Sequence, residues 1–227
     1  MNSVYFVAGI DTGIGKTVAT GLMARALRAR GVDAITVKLV QTGNDGYSED
    51  IDAHRAICGG ERFYEDQLGL TSPQVFKFPS SPELAARLEG KTVDLDRIRM
   101  CIAACAEHHD VILVEAAGGL HVPLTRELLT IDFAAREGWP TILVTCGRLG
   151  SINHTLLAVE ALKSRDMKLA GLVYNWHPDA DPLIDQDTPE MTTNFLRQWK
   201  LDVPLVRIPR LPSDGPYPDV DFSEIFQ

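Results

Sequence analysis

Residues 9–17 bring together the groups that bind a phosphate, in the order Gly9-Ile10-Asp11-Thr12-Gly13-Ile14-Gly15-Lys16-Thr17. They follow an apolar run and precede a helical pattern. The glycine-rich turn therefore places backbone N–H groups and a helix N-terminus around one point. Lys16 adds an ammonium group there, and the hydroxyl of Thr17 is the kind of ligand that Mg²⁺ uses beside phosphates. The sequence predicts that the chain binds ATP or GTP.

The motif is a variant of the general pattern G-x-x-x-x-G-K-[ST]. The first glycine of that pattern would stand at position 10, which is Ile10 here, and Gly9 lies one residue earlier. Position 11, five residues before Lys16, holds an acid. In partitioning-type ATPases a second lysine at that position reaches across a dimer, so Asp11 argues against a nucleotide-sandwich switch.

Charged side chains also end two further predicted strands. Lys38 ends an apolar run and would add a second cation for a transferring phosphoryl group, although a lysine at a sheet edge can also simply extend into water. Glu115 follows an apolar run and precedes small residues. This favours a Mg²⁺ partner over a plain turn, because unpaired carboxylates are rarely buried. Asp52 is the expected second carboxylate at the metal, and Asp50 is the competing assignment.

The later strand ends are less specific. The segment Gly150-Ser151-Ile152-Asn153 begins a predicted helix, where free N–H groups suit a carboxylate or a phosphate. Capping of the helix by Ser151 explains the same residues equally well. Asn175 and the turn Pro209-Arg210-Leu211 lie where an amide and backbone groups could border a nucleotide base.

Short apolar runs alternate with helical patterns, which is typical of a mostly parallel sheet with helices on both faces. The predicted strands are residues 4–8, 34–38, 111–114, 141–145, 169–174 and 203–208. The predicted helices are residues 15–30, 95–107, 131–137, 152–164 and 189–199. Residues 43–82 are expected to be rich in loops, with a short helix around residues 52–57, and the tail after Pro209 to wrap the surface. We predict a single P-loop α/β domain over residues 1–227, with ligands at the carboxyl ends of the strands.

The composition limits the class of protein. A chain of 227 residues suits one domain, and 45% hydrophobic residues without a long apolar run or an export signal indicate a cytoplasmic protein. A net charge of -9 argues against a nucleic-acid or anionic-membrane surface. The four cysteines form no C-x-x-C pair, which favours packed thiols over metal ligands.

Taken together, the motifs resemble those of the dethiobiotin synthase family, P-loop enzymes that close the ureido ring in biotin synthesis. The resemblance extends over residues 9–17, 38–43, 115–119 and 149–154, and on to Asn175 and residues 208–211. It implies 7,8-diaminononanoate, CO₂ and ATP as substrates, with Mg²⁺ bound beside the ATP. It also implies that a carbamate is phosphorylated to a mixed anhydride, that ADP and phosphate are released, and that the enzyme is a homodimer with the substrate site near the interface.

The same resemblance assigns roles by position. The expected catalytic residues are Lys38 and Lys16. The expected metal ligands are Thr17, Asp52 and Glu115. The expected substrate contacts are Thr12, Thr42, Gly150, Ser151, Ile152 and Asn153. The expected ATP-binding residues are Gly13, Ile14, Gly15, Lys16, Thr17, Val18, Asp52, Glu115, Ala116, Ala117, Gly118, Asn175, Trp176, Pro209, Arg210 and Leu211.

Four positions depart from the family pattern, namely Gly13, Leu39, Ala116 and Glu83. They leave both lysines and the acidic residues in place, and bear on substrate affinity more than on phosphoryl chemistry. Two alternatives stay open at this point. One is a nucleotide-dependent regulatory or switch protein of the same fold with degenerate catalysis, and the other is an enzyme that activates a carboxylate for amidation.

Overall fold

The part of the chain that the structure describes contains eight strands and eight helices. This computed structural model describes residues 3–177, 180–212 and 216–227. The strands are β1 (Ser3–Gly9), β2 (Ala34–Lys38), β3 (Gln41–Thr42), β4 (Val75–Phe76), β5 (Val111–Gly119), β6 (Thr141–Cys146), β7 (Leu169–Asn175) and β8 (Leu205–Ile208). The helices are α1 (Lys16–Ala29), α2 (Glu49–Ile57), α3 (Tyr64–Gln67), α4 (Pro82–Leu88), α5 (Leu95–Ala106), α6 (Thr130–Glu137), α7 (Ser151–Lys163) and α8 (Pro182–Gln198).

Six of the strands form one parallel sheet in the order β2-β5-β1-β6-β7-β8, and β3 pairs with β4 beside it. This confirms the predicted fold class. The order places β5 between β1 and β2, so the three chain segments that follow these strands leave the sheet side by side. The phosphate motif after β1, Lys38 and Glu115 are thereby brought to one edge.

Both faces of the sheet are covered, which explains why its strands are nearly continuous apolar runs. Successive residues of a strand point to opposite faces, and Phe6 and Val7 of β1 accordingly belong to two different clusters of buried residues. One cluster includes residues of α4, α5, α6 and α7. The other includes residues of α1 and the chain end, such as Phe222 and Ile225. Within the described residues, no helix is both long enough and apolar enough to cross a membrane.

The last helix differs from the prediction. It was expected over residues 189–199, but α8 begins at Pro182, and Pro189 lies inside it. The Asp181 side chain accepts a hydrogen bond from the Leu183 N–H, and Pro182 occupies the first turn, where a missing N–H costs nothing. Asp181-Pro182 is therefore the start signal, and Pro189 is tolerated within the helix.

Residues 43–82 contain more regular structure than predicted, including α2, α3 and β4. They are anchored by a buried ion pair, in which the Arg55 guanidinium donates to Asp66 from Nε at 2.9 Å and from Nη2 at 2.8 Å. Asp66 also accepts from the Thr71 hydroxyl and the Phe63 N–H. Burial alone would raise the pKa of Asp66, but these donors outweigh it and hold the pKa below its ordinary value.

Residues 216–227 pack along α1, in agreement with the predicted wrapping of the tail. Arg25 of α1 donates to the carbonyl oxygens of Tyr217 and Pro218 and pairs with Asp219. The ring of Phe226 meets that of Tyr5 edge to face at 5.1 Å. Ser213 lies outside the described residues, as do Asp214 and Gly215.

We predict that Asp66→Asn destabilises the fold by about 3 kcal/mol, because it leaves the buried Arg55 charge without an anionic partner, with only neutral oxygens of Thr36 beside it. Chemical denaturation at pH 7 measures this. Asp96→Asn is the matched control, since Asp96 pairs with Arg99 on the surface, and it should change the free energy of unfolding by less than about 1 kcal/mol.

The same pair gives a pH dependence. Because the pKa of Asp66 is depressed in the folded state, its contribution is complete above the ordinary value of 3.8 and is lost as the pH falls through the folded-state pKa. The stability difference between parent and Asp66→Asn should therefore shrink in acid. A difference that is independent of pH would contradict the role given to this ion pair.

Candidate active site

A cavity of about 850 Å³ opens at the carboxyl ends of β1, β2 and β5. It contains the predicted residues Thr12, Gly13, Gly15, Lys16, Thr17, Lys38, Thr42, Glu115, Ala117 and Gly118. Its other walls are formed by Val40, Gln41, Asp50, Pro79, Ser80, Ser81, Pro82, His121, Val122 and Pro123. Ser80 and His121 were not predicted to be parts of the site, because neither follows a predicted strand directly.

The phosphate motif is shaped by two glycines with positive φ. Gly13 has φ 72° and Gly15 has φ 86°, a backbone conformation that residues with a Cβ rarely adopt. The Lys16 ammonium donates to the Asp11 carbonyl oxygen at 2.8 Å, at the mouth of the loop. Burial, reinforced by repulsion from Lys38, lowers the pKa of Lys16 to about 8 despite the attraction of Glu115.

The carboxylate of Asp11 is engaged within the chain. It accepts from the Thr12 N–H at 2.8 Å and pairs with Arg148, which precedes α7. Asp11 therefore replaces the second lysine of partitioning-type ATPases with an acid that is paired within its own chain.

Lys38 and Glu115 form a buried ion pair at the edge of the sheet. They are register partners on β2 and β5, and the Lys38 ammonium donates to Glu115 Oε1 at 2.8 Å. Asp50 also pairs with Lys38. Burial opposes charge on Lys38, but the attraction of Glu115 and Asp50 outweighs it and raises the pKa of the lysine. For Glu115, burial would raise the pKa, and Lys38 together with His54 lowers it well below the ordinary range. Both groups are therefore charged at neutral pH.

His54 completes this group, and sequence analysis did not single it out. Its Nε2 lies 2.8 Å from Glu115 Oε2, and the side chain is fully buried. It stands four residues after Asp50 on α2, so both lie on one face of the helix, from which His54 contacts Glu115 and Asp50 contacts Lys38 and Thr17. That spacing after an acid is the signal that was available in the sequence.

The structure brings Asp50, rather than Asp52, beside Thr17 and near Glu115. Asp50 Oδ1 accepts from the Thr17 hydroxyl at 2.8 Å, and Glu115 Oε1 lies 3.1 Å from the same hydroxyl. Asp52, the residue first assigned, is 41% exposed and pairs with Arg62 outside the cavity. Residues two apart on a helix point to different sides, so only one of the two acids can face the site. Of these two acids, Asp50 is therefore the one that faces the cavity.

Three side chains here carry oxygen ligands of the type that suits Mg²⁺, namely the hydroxyl of Thr17 and the carboxylates of Asp50 and Glu115. Among the described residues there is no group of three or more His, Cys, Asp or Glu side chains that could hold a metal ion. This small oxygen set fits a cation that takes its other ligands from phosphates and water.

A second cavity of about 210 Å³ adjoins the phosphate motif. It is formed by Gly13, Ile14, Gly15, Val18, Asn175, Trp176, His177, Ile208, Pro209 and Leu211, which brings together most of the residues predicted to border a base. The Asn175 amide donates to the carbonyl oxygens of Ile14 at 2.8 Å and Gly15 at 3.0 Å. Arg210 does not form a wall of this cavity, and its guanidinium lies 4.6 Å from the Trp176 ring centroid.

The residues predicted to receive the substrate carboxylate lie apart from the large cavity. Gly150 has φ 92° and caps α7, and Ser151, Ile152 and Asn153 form its first turn. A groove of about 540 Å³ next to them contains His154 and Leu157 together with Thr12 and His121 of the large cavity. Leu149 and Leu157 are 81% and 55% exposed.

The residues Leu39, Ala116 and Glu83, which depart from the family pattern, do not obstruct the cavity. Leu39 is fully buried, and Ala116 lies within β5 and has no positive φ. Glu83 accepts from Arg87 at 3.1 Å and from Arg126 at 3.2 Å, and it does not form part of the cavity wall. Its negative charge is therefore balanced by two neighbouring guanidinium groups.

Comparison with known proteins gives a consistent result. A family model described as an AAA domain matches residues 3–213. An ATP-dependent dethiobiotin synthetase of Pasteurella multocida is 44% identical over 199 residues, which is 88% of this chain and 93% of the relative. An ATP-dependent dethiobiotin synthetase of Haemophilus influenzae is 44% identical over 184 residues, which is 81% of this chain and 96% of the relative.

Among solved structures, the MinC:MinD cell division protein complex of Aquifex aeolicus matches with a TM-score of 0.58 and 16% identity. The match covers 92% of this chain and 82% of that chain. At this identity the likeness shows a shared fold and nothing further.

The placement of the two acids leads to a direct test. Asp50→Asn should weaken ADP binding in the presence of Mg²⁺ about tenfold, equivalent to ~1.4 kcal/mol, because one of the two carboxylates beside Thr17 loses its charge. Asp52→Asn should stay within about twofold of the parent. Calorimetric titration with ADP and Mg²⁺ measures both, and the opposite order of effects would restore Asp52 to the site.

Proposed function

The chain belongs to the ATP-dependent dethiobiotin synthetase family and makes dethiobiotin at the expense of ATP, and we propose that the cavity around Lys16 and Lys38 is its active site. The observation that supports this most strongly is the second lysine. Lys38 is buried and held charged, 2.8 Å from Glu115, at the wall of the cavity that the phosphate motif borders.

We propose the following reaction for this cavity. An amine of 7,8-diaminononanoate adds to CO₂ and loses a proton, which gives a carbamate. A carbamate oxygen then attacks the γ-phosphorus of ATP, the bond between that phosphorus and the β–γ bridging oxygen breaks, and ADP leaves. The second amine attacks the carbonyl carbon of the resulting carbamic–phosphoric anhydride and loses a proton, the bond from that carbon to the phosphate oxygen breaks, the ureido ring closes, and phosphate leaves.

The two lysines suit the charge that develops in this sequence. The carbamate and the γ-phosphate are both anionic and must approach each other, so fixed cations between them lower the barrier. Lys38 is oriented by Glu115 and Asp50, and Lys16 extends from the first turn of α1. Lys38 is the proposed catalytic lysine, and Lys16 is proposed to contact the phosphates and the carbamate. Apolar walls at Pro79, Val122 and Pro123 suit the alkyl chain of the diamine.

Mg²⁺ is proposed to bind at Thr17, Asp50 and Glu115, whose oxygens already converge. When bound, the ion would neutralise phosphate charge in the ATP-dependent step. Thr17 is the last residue of the phosphate motif and lies in the first turn of α1, so a hydroxyl, two acids and the loop N–H groups face one region.

The small cavity beside the phosphate motif is proposed to hold the adenine base. The Asn175 amide nitrogen already donates to two loop carbonyl oxygens, so its carbonyl oxygen is the part of the side chain suited to accept from an exocyclic amine. Trp176, Pro209 and Leu211 supply apolar surface around the base.

We further propose that the protein acts as a cytoplasmic homodimer. Exposed Leu149 and Leu157 flank the first turn of α7, where a partner subunit could bring the substrate carboxylate to residues 150–153. All four cysteines of the chain are free thiols in the structure, as in a reducing compartment.

The regulatory-switch alternative has weaker support. Asp11 stands where partitioning-type ATPases have a second lysine that reaches across the dimer. Its carboxylate pairs with Arg148 of the same chain. The shared fold with MinD does not argue for a switch, because a fold hosts many functions.

Lys38→Ala should lower turnover at least about 100-fold, since a fixed cation facing the transferring phosphoryl group is removed. ADP binding should stay within several-fold of the parent. Dethiobiotin formation and calorimetric ADP binding measure the two effects. Lys77→Ala is the control, because Lys77 is exposed and pairs with Asp45 on the surface. Full turnover in Lys38→Ala would refute the catalytic role of this lysine.

Phosphate release separates the synthetase from a switch. We expect rapid phosphate release only when ATP, 7,8-diaminononanoate and bicarbonate are all present, because the acceptor oxygen belongs to the carbamate. Omission of either the diamine or bicarbonate should reduce the rate to a slow background. A rate that is independent of the diamine would favour the regulatory alternative.

A further inference from the structure

The carboxylate of Glu115 divides its contacts between its two oxygens. Oε1 lies 2.8 Å from the Lys38 ammonium and 3.1 Å from the Thr17 hydroxyl. Oε2 lies 2.8 Å from His54 Nε2. The catalytic cation and the proposed metal position therefore face one oxygen, and a histidine holds the other.

The hydrogen bond has a definite direction. An ionised carboxylate only accepts, so Nε2 of His54 carries the hydrogen and donates it to Glu115. Nδ1 of the ring is buried and has no hydrogen-bond partner among the residues that the structure describes. Within the same residues, the bond to Glu115 is thus the polar contact that explains a fully buried imidazole at this position.

The helix links this histidine to the metal position. Asp50 and His54 lie four residues apart on α2, and both approach the Glu115 side chain or its partners. Ser48 caps the helix through the Ile51 N–H and also donates to Gln41 of the cavity wall at 2.6 Å. The start of α2 is therefore fixed relative to the cavity, and so is the imidazole.

We propose that His54 is a positioning residue, which locks the rotation of the Glu115 carboxylate so that Oε1 faces Thr17 and Lys38. The proposal rests on the proposed function in one respect, the binding of Mg²⁺ by Glu115. Removing the donor leaves Oε2 without a partner in a buried place. The carboxylate can then rotate, and the oxygen intended for the cation is no longer held in place.

The test uses two variants of the full chain, His54→Leu and His54→Gln. Leucine keeps the bulk but donates nothing, whereas the glutamine amide can place a donor near the position of Nε2. Calorimetric titration of ADP at increasing Mg²⁺ gives the half-saturating metal concentration without any turnover. We expect it to rise about tenfold or more in His54→Leu. The half-saturating Mg²⁺ concentration should remain within about threefold of the parent in His54→Gln. In both variants the affinity for ADP without Mg²⁺ should stay within about twofold of the parent, because the phosphate motif is unchanged.

His109→Leu is the matched control. His109 is also buried and also faces carboxylates, those of Asp33 and Glu65, but it lies before the amino end of β5, away from the cavity. Its loss should lower stability without changing the half-saturating Mg²⁺ concentration.

Three outcomes would overturn the proposal. They are a parental Mg²⁺ titration in His54→Leu, an equal defect in His54→Gln, and a parent whose ADP binding does not respond to Mg²⁺. If His54→Leu does not fold, His54→Gln is compared with His54→Asn, whose shorter amide does not reach Glu115. The half-saturating Mg²⁺ concentration should then rise in His54→Asn and stay near the parent value in His54→Gln. Failure of the proposed function would show separately, as a parent that binds ADP and Mg²⁺ but forms no dethiobiotin.

Discussion

The buried ion pair between Lys38 and Glu115 is the interaction on which the rest of the site depends. A single charge in this position would cost several kcal/mol, so neither residue can be buried without the other. The pairing of β2 with β5 places them opposite each other in register. Asp50 and His54 then approach from α2, and Thr17 from α1. The edge of the sheet thereby holds a buried lysine and a buried carboxylate that are both charged at neutral pH.

A second constraint joins the phosphate motif to the small cavity that is proposed to hold the base. The Asn175 amide, at the end of β7, donates to the carbonyl oxygens of Ile14 and Gly15. A Cβ at Gly15 would lie 2.6 Å from the Asn175 amide nitrogen, so any larger residue would push the loop and β7 apart. The glycine is needed for this close approach as well as for its φ of 86°. Phosphate and base contacts therefore depend on one small region of backbone.

Much of this arrangement could be predicted from the sequence, since each strand of the large sheet is an apolar run and the reactive side chains follow the strands directly. Lys38, Glu115 and Asn175 were found in this way. Asp50 was not separated from Asp52, because the start of α2 was expected near residue 52. Ser48 starts the helix earlier, and its phase then turns Asp50 inward and Asp52 outward. The contact of His54 with Glu115 joins segments that are distant in sequence, and its four-residue spacing from Asp50 is the one local signal of it. The Arg55–Asp66 ion pair joins two short helices whose relative placement no local pattern reports. Pro189 misled the prediction of α8, because a proline inside a helix looks like the start of one.

We propose that Lys38, Thr17, Asp50 and Glu115 form one reaction centre for a carbamate and the γ-phosphate. A crystal structure of the protein with a non-hydrolysable ATP analogue, Mg²⁺, 7,8-diaminononanoate and bicarbonate tests it most directly. We predict Mg²⁺ bound by Thr17, Asp50 and Glu115, with the Lys38 ammonium within hydrogen-bond distance of the carbamate. A carbamate bound away from Lys38, or a metal held by Asp52 instead of Asp50, would contradict it.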